Sequence, residues 1–121
     1  MRFVKGILLL AVSFAFPFYL TAGLFEKKPK VVESLNLAYG EHKDQVLDLV
    51  NLENSRDCPV ILFFHGGSWR WGQKNYHREI GKQFAKSGII FATANYRLYP
   101  EVRFPAFPRD ASLAVKWLRE N

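Results

Sequence analysis

The residues of this sequence that are best suited to chemistry form a short loop, His65-Gly66-Gly67-Ser68-Trp69, directly after an apolar run. Two adjacent glycines after a buried strand allow the backbone to turn sharply and to bring its N–H groups close to a ligand. Backbone donors held in this way can stabilise the negative oxygen of a tetrahedral intermediate in acyl transfer. The glycines taken alone predict no more than a turn, which is the commoner use of such a pair.

Two further features accompany this loop and favour the chemical interpretation. The sequence resembles the esterase/lipase branch of the α/β-hydrolases in three places, which are the loop His65–Trp69, the block Asn95–Ala106 and Asp110. Within that branch the sequence is similar to feruloyl esterase-like, prenylcysteine methylesterase-like and hormone-sensitive-lipase-like carboxylesterases. Tyr39-Gly40 and Leu47-Asp48-Leu49 resemble the opening hairpin of the same group, so the resemblance extends over roughly residues 35–121.

The resemblance implies hydrolysis of carboxylic esters by acyl transfer through a serine, with the glycine loop as the oxyanion hole. By position, the implied donors are the backbone N–H groups of Gly67 and Ser68. Most esterase relatives have a third glycine where Ser68 stands, and a backbone donor survives that difference. His65, Gly66 and Trp69 are implied to shape the loop, and His65 is not the implied general base. The resemblance implies no metal and no organic cofactor.

The nucleophile of this family lies on a Gly-x-Ser-x-Gly elbow and is followed in the chain by an acid and a histidine. Residues 1–121 contain no such elbow. Ser68 follows two glycines, but Arg70 stands where the closing glycine would be. We therefore expect the Ser/Asp/His triad to be absent from this chain and the elbow to follow one further strand beyond Asn121.

Hydrophobic periodicity predicts the elements that position the loop. The first elements in chain order are a hairpin (31–39 with 45–50) and a central strand covered on both faces (59–64). A helix (76–87) and a second buried strand (89–95) follow. After a proline-containing loop over 96–108, a last helix is predicted to be capped by Asp110. Alternating buried strands and helices predict a three-layer α/β fold. The resemblance makes this the N-terminal half of an α/β-hydrolase sheet, a hairpin and then parallel strands with crossover helices. The pattern of the N-terminus adds an export signal or anchor helix before this sheet.

Length and composition exclude several classes of protein. A chain of 121 residues is enough for one small domain, and 49% hydrophobic with 23% charged residues is not the composition of a disordered or coiled-coil chain. The net charge is +6, but the basic and acidic residues are interspersed, so we exclude nucleic acid as a partner. Cys58 is the only cysteine, which excludes an intramolecular disulfide and a zinc site of paired cysteines.

The N-terminus has the three-part pattern of an export signal. Arg2 and Lys5 precede 20 residues without a charge, Gly6–Phe25, within which Thr21-Ala22-Gly23 offers a cleavage site. An uncleaved anchor is the alternative, since about 20 apolar residues can span a bilayer, and residues 4–25 would then contact the membrane. We predict a periplasmic, secreted or lumenal protein, or a membrane-anchored one, with this organisation: signal peptide or anchor over 1–23, spacer over 24–34, partial hydrolase domain over 35–121.

Three functions remain open from the sequence. The first is an exported serine-type hydrolase whose partner is a small-molecule ester. The second is an amide-cleaving enzyme, because arylformamidase-like hydrolases share a similar glycine loop. The third is a non-catalytic exported or membrane-tethered protein that uses half of a hydrolase sheet for binding. The first is favoured, because the glycine loop and the later Tyr-Arg-Leu block carry the resemblance to esterases together.

Overall fold

The computed structural model describes residues 29–121, which form a four-stranded sheet and two helices. The elements in chain order are β1 (Val31–Ala38), β2 (Val46–Leu52), β3 (Val60–Phe64), a 3-10 turn (Lys74–His77), α1 (Arg78–Lys86), β4 (Ile90–Ala94) and α2 (Ala106–Glu120). The predicted signal or anchor over 1–23 lies outside the described residues. Within 29–121, no helix combines the length and the apolar character needed to cross a bilayer.

β1 and β2 form the antiparallel hairpin that the sequence predicts. The two strands pair along their length, with a shift of register between Ser34 and Leu37. Asn36 lies inside this irregularity with a φ of 56°, a left-handed conformation that asparagine adopts more readily than most residues. Because β1 begins at Val31, the end of the predicted 24–34 spacer belongs to the sheet.

The hairpin is continued by two parallel strands, and the strand order is β1-β2-β4-β3. β2 and β4 are antiparallel, whereas β3 and β4 are parallel and are joined by a crossover through the 3-10 turn and α1. The prediction of a hairpin followed by parallel strands with a crossover helix is therefore confirmed.

The prediction that the apolar run 59–64 forms a central strand is wrong for the described sheet. β3 lies at its edge and is only partly buried, with Val60 47% exposed. β4 is the covered strand, since it lies between β2 and β3, and Phe91–Ala94 are buried. An apolar run shows that both faces of a strand avoid water, but it carries no information about the order of strands in the sheet.

The two helices cover opposite faces of the sheet. Ala114 of α2 packs in a cluster with Leu47 and Ala94. On α1, a Cβ on Gly81 would lie only 2.7 Å from the ring of Phe91, so the missing side chain permits this close contact. Phe91 and Ala94 are three positions apart on β4, and side chains alternate between the faces of a strand. The predicted three-layer arrangement follows from these contacts.

α2 begins before the residue that was predicted to cap it. Ala106 is its first residue and Pro105 precedes it, without a side-chain cap, so the prediction that Asp110 is the cap is wrong. Pro108 lies in the first turn, where a missing backbone N–H costs little. Asp110 lies inside the helix and is fully buried, and its carboxylate binds side chains of other elements.

Candidate active site

The loop after β3 turns sharply through three consecutive residues with positive φ. These angles are 125° at Gly67, 54° at Ser68 and 57° at Trp69. The N–H groups of Arg70 and Trp71 both donate to the carbonyl oxygen of Gly67, at 3.0 and 3.2 Å, and close the turn. A Cβ at position 67 would clash with the carbonyl oxygen of Trp71, so only glycine fits there.

His65 supports this turn from the end of β3. It is buried, its ring stacks on the ring of Tyr96 with 4.7 Å between centroids, and the Tyr96 hydroxyl donates to the His65 carbonyl oxygen at 2.8 Å. Burial raises the pKa of Tyr96, which keeps its hydroxyl protonated as a donor. At the other end of the loop, a Cβ on Gly72 would clash with the His65 ring. The loop therefore closes directly onto the histidine.

The turn opens onto a cleft of about 750 Å³. The lining of the cleft is mainly aromatic and apolar: Phe64, His65, Gly66, Gly67, Ser68, Trp69, Tyr96, Phe104, Phe107, Pro108 and Ala111. Within residues 29–121, neither the Gly67 N–H nor the Ser68 N–H donates to a protein acceptor. Two such backbone donors in an apolar cleft are suited to binding a carbonyl oxygen or an oxyanion.

Trp69 forms part of the wall beside these donors. Its ring stacks on Phe107 with 5.9 Å between centroids, and 57% of the residue is exposed. The Trp69 carbonyl oxygen accepts the N–H of Tyr99 at 2.7 Å, which ties the glycine loop to the proline-containing loop that follows β4. Trp71, the other tryptophan of the glycine loop, is 68% exposed and lies outside the lining of the cleft.

Asp110 anchors the proline-containing loop to α2 and to the hairpin turn. Its buried carboxylate accepts hydrogen bonds from Nε, Nη2 and the backbone N–H of Arg97, at 2.6 to 3.2 Å, and from Gln45 Nε2 at 2.8 Å. Burial alone would raise the pKa of Asp110, but the bonds from Arg97 and Gln45 outweigh it and lower this pKa below its ordinary value of 3.8.

The lowered pKa of Asp110 makes the fold sensitive to acid. Its charged form contributes stability that is complete above the pKa of the unfolded state, about 4, and is lost as the pH falls through the lower folded pKa. The unfolding free energy, measured with urea, should therefore decrease below about pH 4. Asp110→Asn should lower stability at pH 7 and make the acid dependence shallower. An acid dependence as steep as that of the wild type would contradict this role.

Comparison with known proteins identifies the family. A sequence model of the BD-FAE family matches residues 47–121, which is more than half of the chain and runs from β2 through the glycine loop to α2. This chain belongs to the BD-FAE family.

Individual relatives of the BD-FAE chain are esterases and related enzymes. Tuliposide A-converting enzyme b1 of Tulipa gesneriana is 37% identical over 67 residues, 53% of this chain and 18% of that enzyme. Carboxylesterase NlhH of Mycobacterium tuberculosis is 34% identical over 66 residues, 54% of this chain and 21% of that enzyme. Esterase B of Lactobacillus rhamnosis, in an inhibited form, shares the fold with a TM-score of 0.68 at 23% identity, over 94% of this chain and 39% of that one.

These matches confirm the predicted esterase branch of the α/β-hydrolases and the predicted α/β fold. They also show that the BD-FAE chain aligns with less than a quarter of the length of the two curated enzymes.

The BD-FAE chain also contains a buried ionic cluster that the sequence pattern does not reveal. Asp48 on β2 is fully buried, and Lys74, the first residue of the 3-10 turn, is 3% exposed. Lys74 Nζ donates to Asp48 Oδ1 at 2.5 Å and to Asn36 Oδ1 at 2.9 Å, while Arg78 Nη2 donates to Asp48 Oδ2 at 2.9 Å. Burial alone would raise the pKa of Asp48, but the bonds from Lys74, the Asn36 N–H and Arg78 lower it.

The backbone of Lys74 connects this ionic cluster to the end of the glycine loop. The Lys74 N–H donates to Asn95 Oδ1 at 2.8 Å, and the Thr93 hydroxyl donates to the Lys74 carbonyl oxygen at 3.2 Å. The Asn95 carbonyl oxygen in turn accepts the Tyr39 hydroxyl at 2.6 Å. The loop is therefore held at its far end by β2 and β4, just after Gly72 meets His65.

A second polar group, away from the glycine loop in sequence, offers the residue types that bind metal ions. Within residues 29–121, His42, Asp44 and Glu101 present ligand atoms within 4.8 Å of one another. His42 Nε2 lies 3.0 Å from Glu101 Oε1, and the Asp44 N–H donates to His42 Nδ1 at 3.2 Å. Both ring nitrogens thus have a protein partner, and the group joins the hairpin turn to the proline-containing loop. It stays a prediction that this chain binds no metal ion and no organic cofactor.

Proposed function

We propose that this chain carries the oxyanion hole of an exported serine hydrolase that cleaves carboxylic esters. The observation that carries the proposal is the pair of backbone donors at Gly67 and Ser68, which line the cleft and have no acceptor within residues 29–121. The family match and the carboxylesterase among the relatives support hydrolase chemistry. Donors held by a closed turn stabilise a developing negative charge without first having to rearrange.

In this proposal Ser68 acts through its backbone N–H and not through its hydroxyl. The serine that attacks the ester carbonyl belongs on a Gly-x-Ser-x-Gly elbow, at a turn from strand to helix. Ser68 instead occupies the tight turn after β3, and residues 1–121 contain no elbow. The proposed enzyme therefore takes its serine, acid and histidine from residues outside 1–121. His65, Gly66 and Trp69 hold the loop in shape.

The proposed substrate is a small-molecule ester with an apolar part. The stacked rings of Trp69 and Phe107 stand beside the donors, and Phe104, which is 80% exposed, extends the same apolar surface. A carboxylic ester is favoured over an amide because the relatives include a carboxylesterase.

Export of the enzyme is part of the proposal and rests on the pattern of residues 1–23. N-terminal sequencing of the protein recovered from the exported fraction should begin near residue 24. Intact Met1 in the membrane fraction would instead support an anchor over residues 4–25.

The chain by itself should show no esterase activity. Residues 1–121 are expected to hydrolyse p-nitrophenyl acetate no faster than buffer, because oxyanion donors without a nucleophile supply only a residual effect. A fluorophosphonate probe, which labels activated serines, should leave the chain unmodified. Labelling of a single serine, Ser68 above all, would show that the chain contains its own nucleophile and would contradict the proposed division of roles.

A further inference from the structure

The guanidinium groups of two arginines lie over the ring of one tyrosine, Tyr99, in the proline-containing loop that follows β4. The guanidinium carbon of Arg70 lies 4.6 Å from the centre of the Tyr99 ring, and that of Arg103 lies 5.7 Å from the same point. Both arginines are exposed. Contacts of this kind hold a guanidinium in place over the ring, because the face of an aromatic ring carries partial negative charge.

Neither arginine is neutralised by an acidic side chain in the part of the chain that the structure describes. Arg78 and Arg97 form ion pairs with carboxylates, but Arg70 and Arg103 form none. The lining of the cleft contains no aspartate and no glutamate. A guanidinium that lies on a ring keeps the N–H groups at its edge free, and those groups match the two oxygens of a carboxylate.

Both arginines are close in the chain to residues that line the cleft, while they themselves lie outside its lining. Arg70 follows Ser68 by two residues, a span of at most about 7 Å along the backbone. Arg103 precedes Phe104, which lines the cleft. Tyr99, the ring under both guanidinium groups, donates its backbone N–H to the carbonyl oxygen of Trp69, a lining residue, at 2.7 Å.

We propose that Arg70 and Arg103 form an anion-binding rim, so that the preferred substrate is an ester carrying a carboxylate at a distance from the scissile bond. The inference rests on the proposed function, since it takes the cleft beside Gly67 and Ser68 as the ester site. The apolar wall binds the body of the substrate, and the rim binds its charge. Specificity for an acidic ester then comes from two side chains that take no part in the acyl transfer itself.

The test compares methyl benzoate with monomethyl terephthalate, which differ by one ring carboxylate. Dissociation constants are measured on the isotope-labelled 121-residue chain by NMR, from the amide signals of Gly67 and Ser68. At low salt, monomethyl terephthalate should bind about five- to tenfold more tightly than methyl benzoate, the range expected for one or two exposed charge contacts. In 0.5 M NaCl the Debye length is only about 4 Å, so the difference in affinity between the two esters should be smaller. Arg70→Gln and Arg103→Gln should each reduce it at low salt. Arg56→Gln is the matched control, because Arg56 is also exposed but precedes the N-terminal end of β3, whereas the glycine loop follows its C-terminal end. This variant should keep the difference in affinity between the two esters.

The outcomes separate this inference from the proposed function. Equal affinities for the two esters, with both shifting the Gly67 and Ser68 signals, would overturn the anion-binding rim and leave the ester cleft in place. A preference that survives both rim substitutions, or that Arg56→Gln also removes, would overturn the rim as well, since overall charge would then explain it. If neither ester shifts these signals, the ester cleft fails and the rim fails with it.

Discussion

In the full-length hydrolase that we propose for this chain, Gly67→Pro is expected to lower kcat by on the order of a hundredfold or more. Proline has no N–H, so one of the two proposed oxyanion donors is lost. Its φ of about −65° is also incompatible with the 125° of Gly67, so the turn cannot keep its shape. KM should change much less than kcat, because the donors act mainly on the charge that develops in the transition state. Steady-state kinetics with an aryl ester measures both constants.

Ser68→Ala distinguishes the role of the Ser68 backbone N–H from that of the Ser68 side-chain hydroxyl. This variant keeps the Ser68 N–H and removes only Oγ, so kcat should change little. Fluorophosphonate labelling of the same enzyme should persist, because the nucleophile is expected on an elbow elsewhere. A Ser68→Ala enzyme that is inactive, beside a Gly67→Pro enzyme that is not, would contradict the assignment of the oxyanion hole to backbone donors.

The largest loss of stability is expected from Asp48→Ala. The substitution leaves the Lys74 ammonium, 3% exposed, without its counter-ion and without the acceptor at 2.5 Å. Removal of one partner from a buried ion pair costs about 3–5 kcal/mol of unfolding free energy. Urea unfolding of the chain, followed by tryptophan fluorescence, measures the change.

A double variant tests whether the loss comes from the unpaired charge. Asp48→Leu with Lys74→Met replaces both charges by apolar side chains and should recover much of the stability that Asp48→Ala loses. Glu120→Gln is the control, since its pair with Lys116 is long, at 3.8 Å, and mostly exposed, and its removal should change the midpoint little. A double variant as unstable as Asp48→Ala would show that the cluster stabilises the fold in some way other than charge pairing.

Local sequence patterns were sufficient for the elements and for the position of the glycine loop. Period-two alternation predicted β2, and the apolar run before His65 predicted β3. Both predictions succeed because successive side chains of a strand point to opposite faces, so the pattern of apolar residues shows whether one face or both faces are buried. The helix predicted over 76–87 corresponds to α1, and Gly88, with a φ of 78°, follows it, since glycine adopts that conformation without strain. Each of these features depends on residues within a few positions of one another.

The roles of the buried charges were not predictable in the same way. Asp110 was assigned to a helix cap on local grounds, but its carboxylate binds Arg97, 13 positions earlier, and Gln45, 65 positions earlier. Asp48 occupies a polar position of an alternating strand, and its partner Lys74 is 26 positions away. No local signal pairs such residues, because Asp110 meets its partners only once α2 has packed on the sheet, and Asp48 meets Lys74 only once the 3-10 turn has packed on β2.

The sequence by itself determined the turn after β3, because two glycines there permit the positive φ of Gly67 and the close approach of Trp71. It also determined the esterase branch of the α/β-hydrolases, through the motif at 65–69 and the block that starts at Asn95. Only the tertiary structure decided which strand is covered and what holds the loop, and it alone brought Arg70 and Arg103 onto one ring. Strand order and side-chain partners depend on contacts between distant segments, and these contacts are selected by the packing of the whole sheet and its helices.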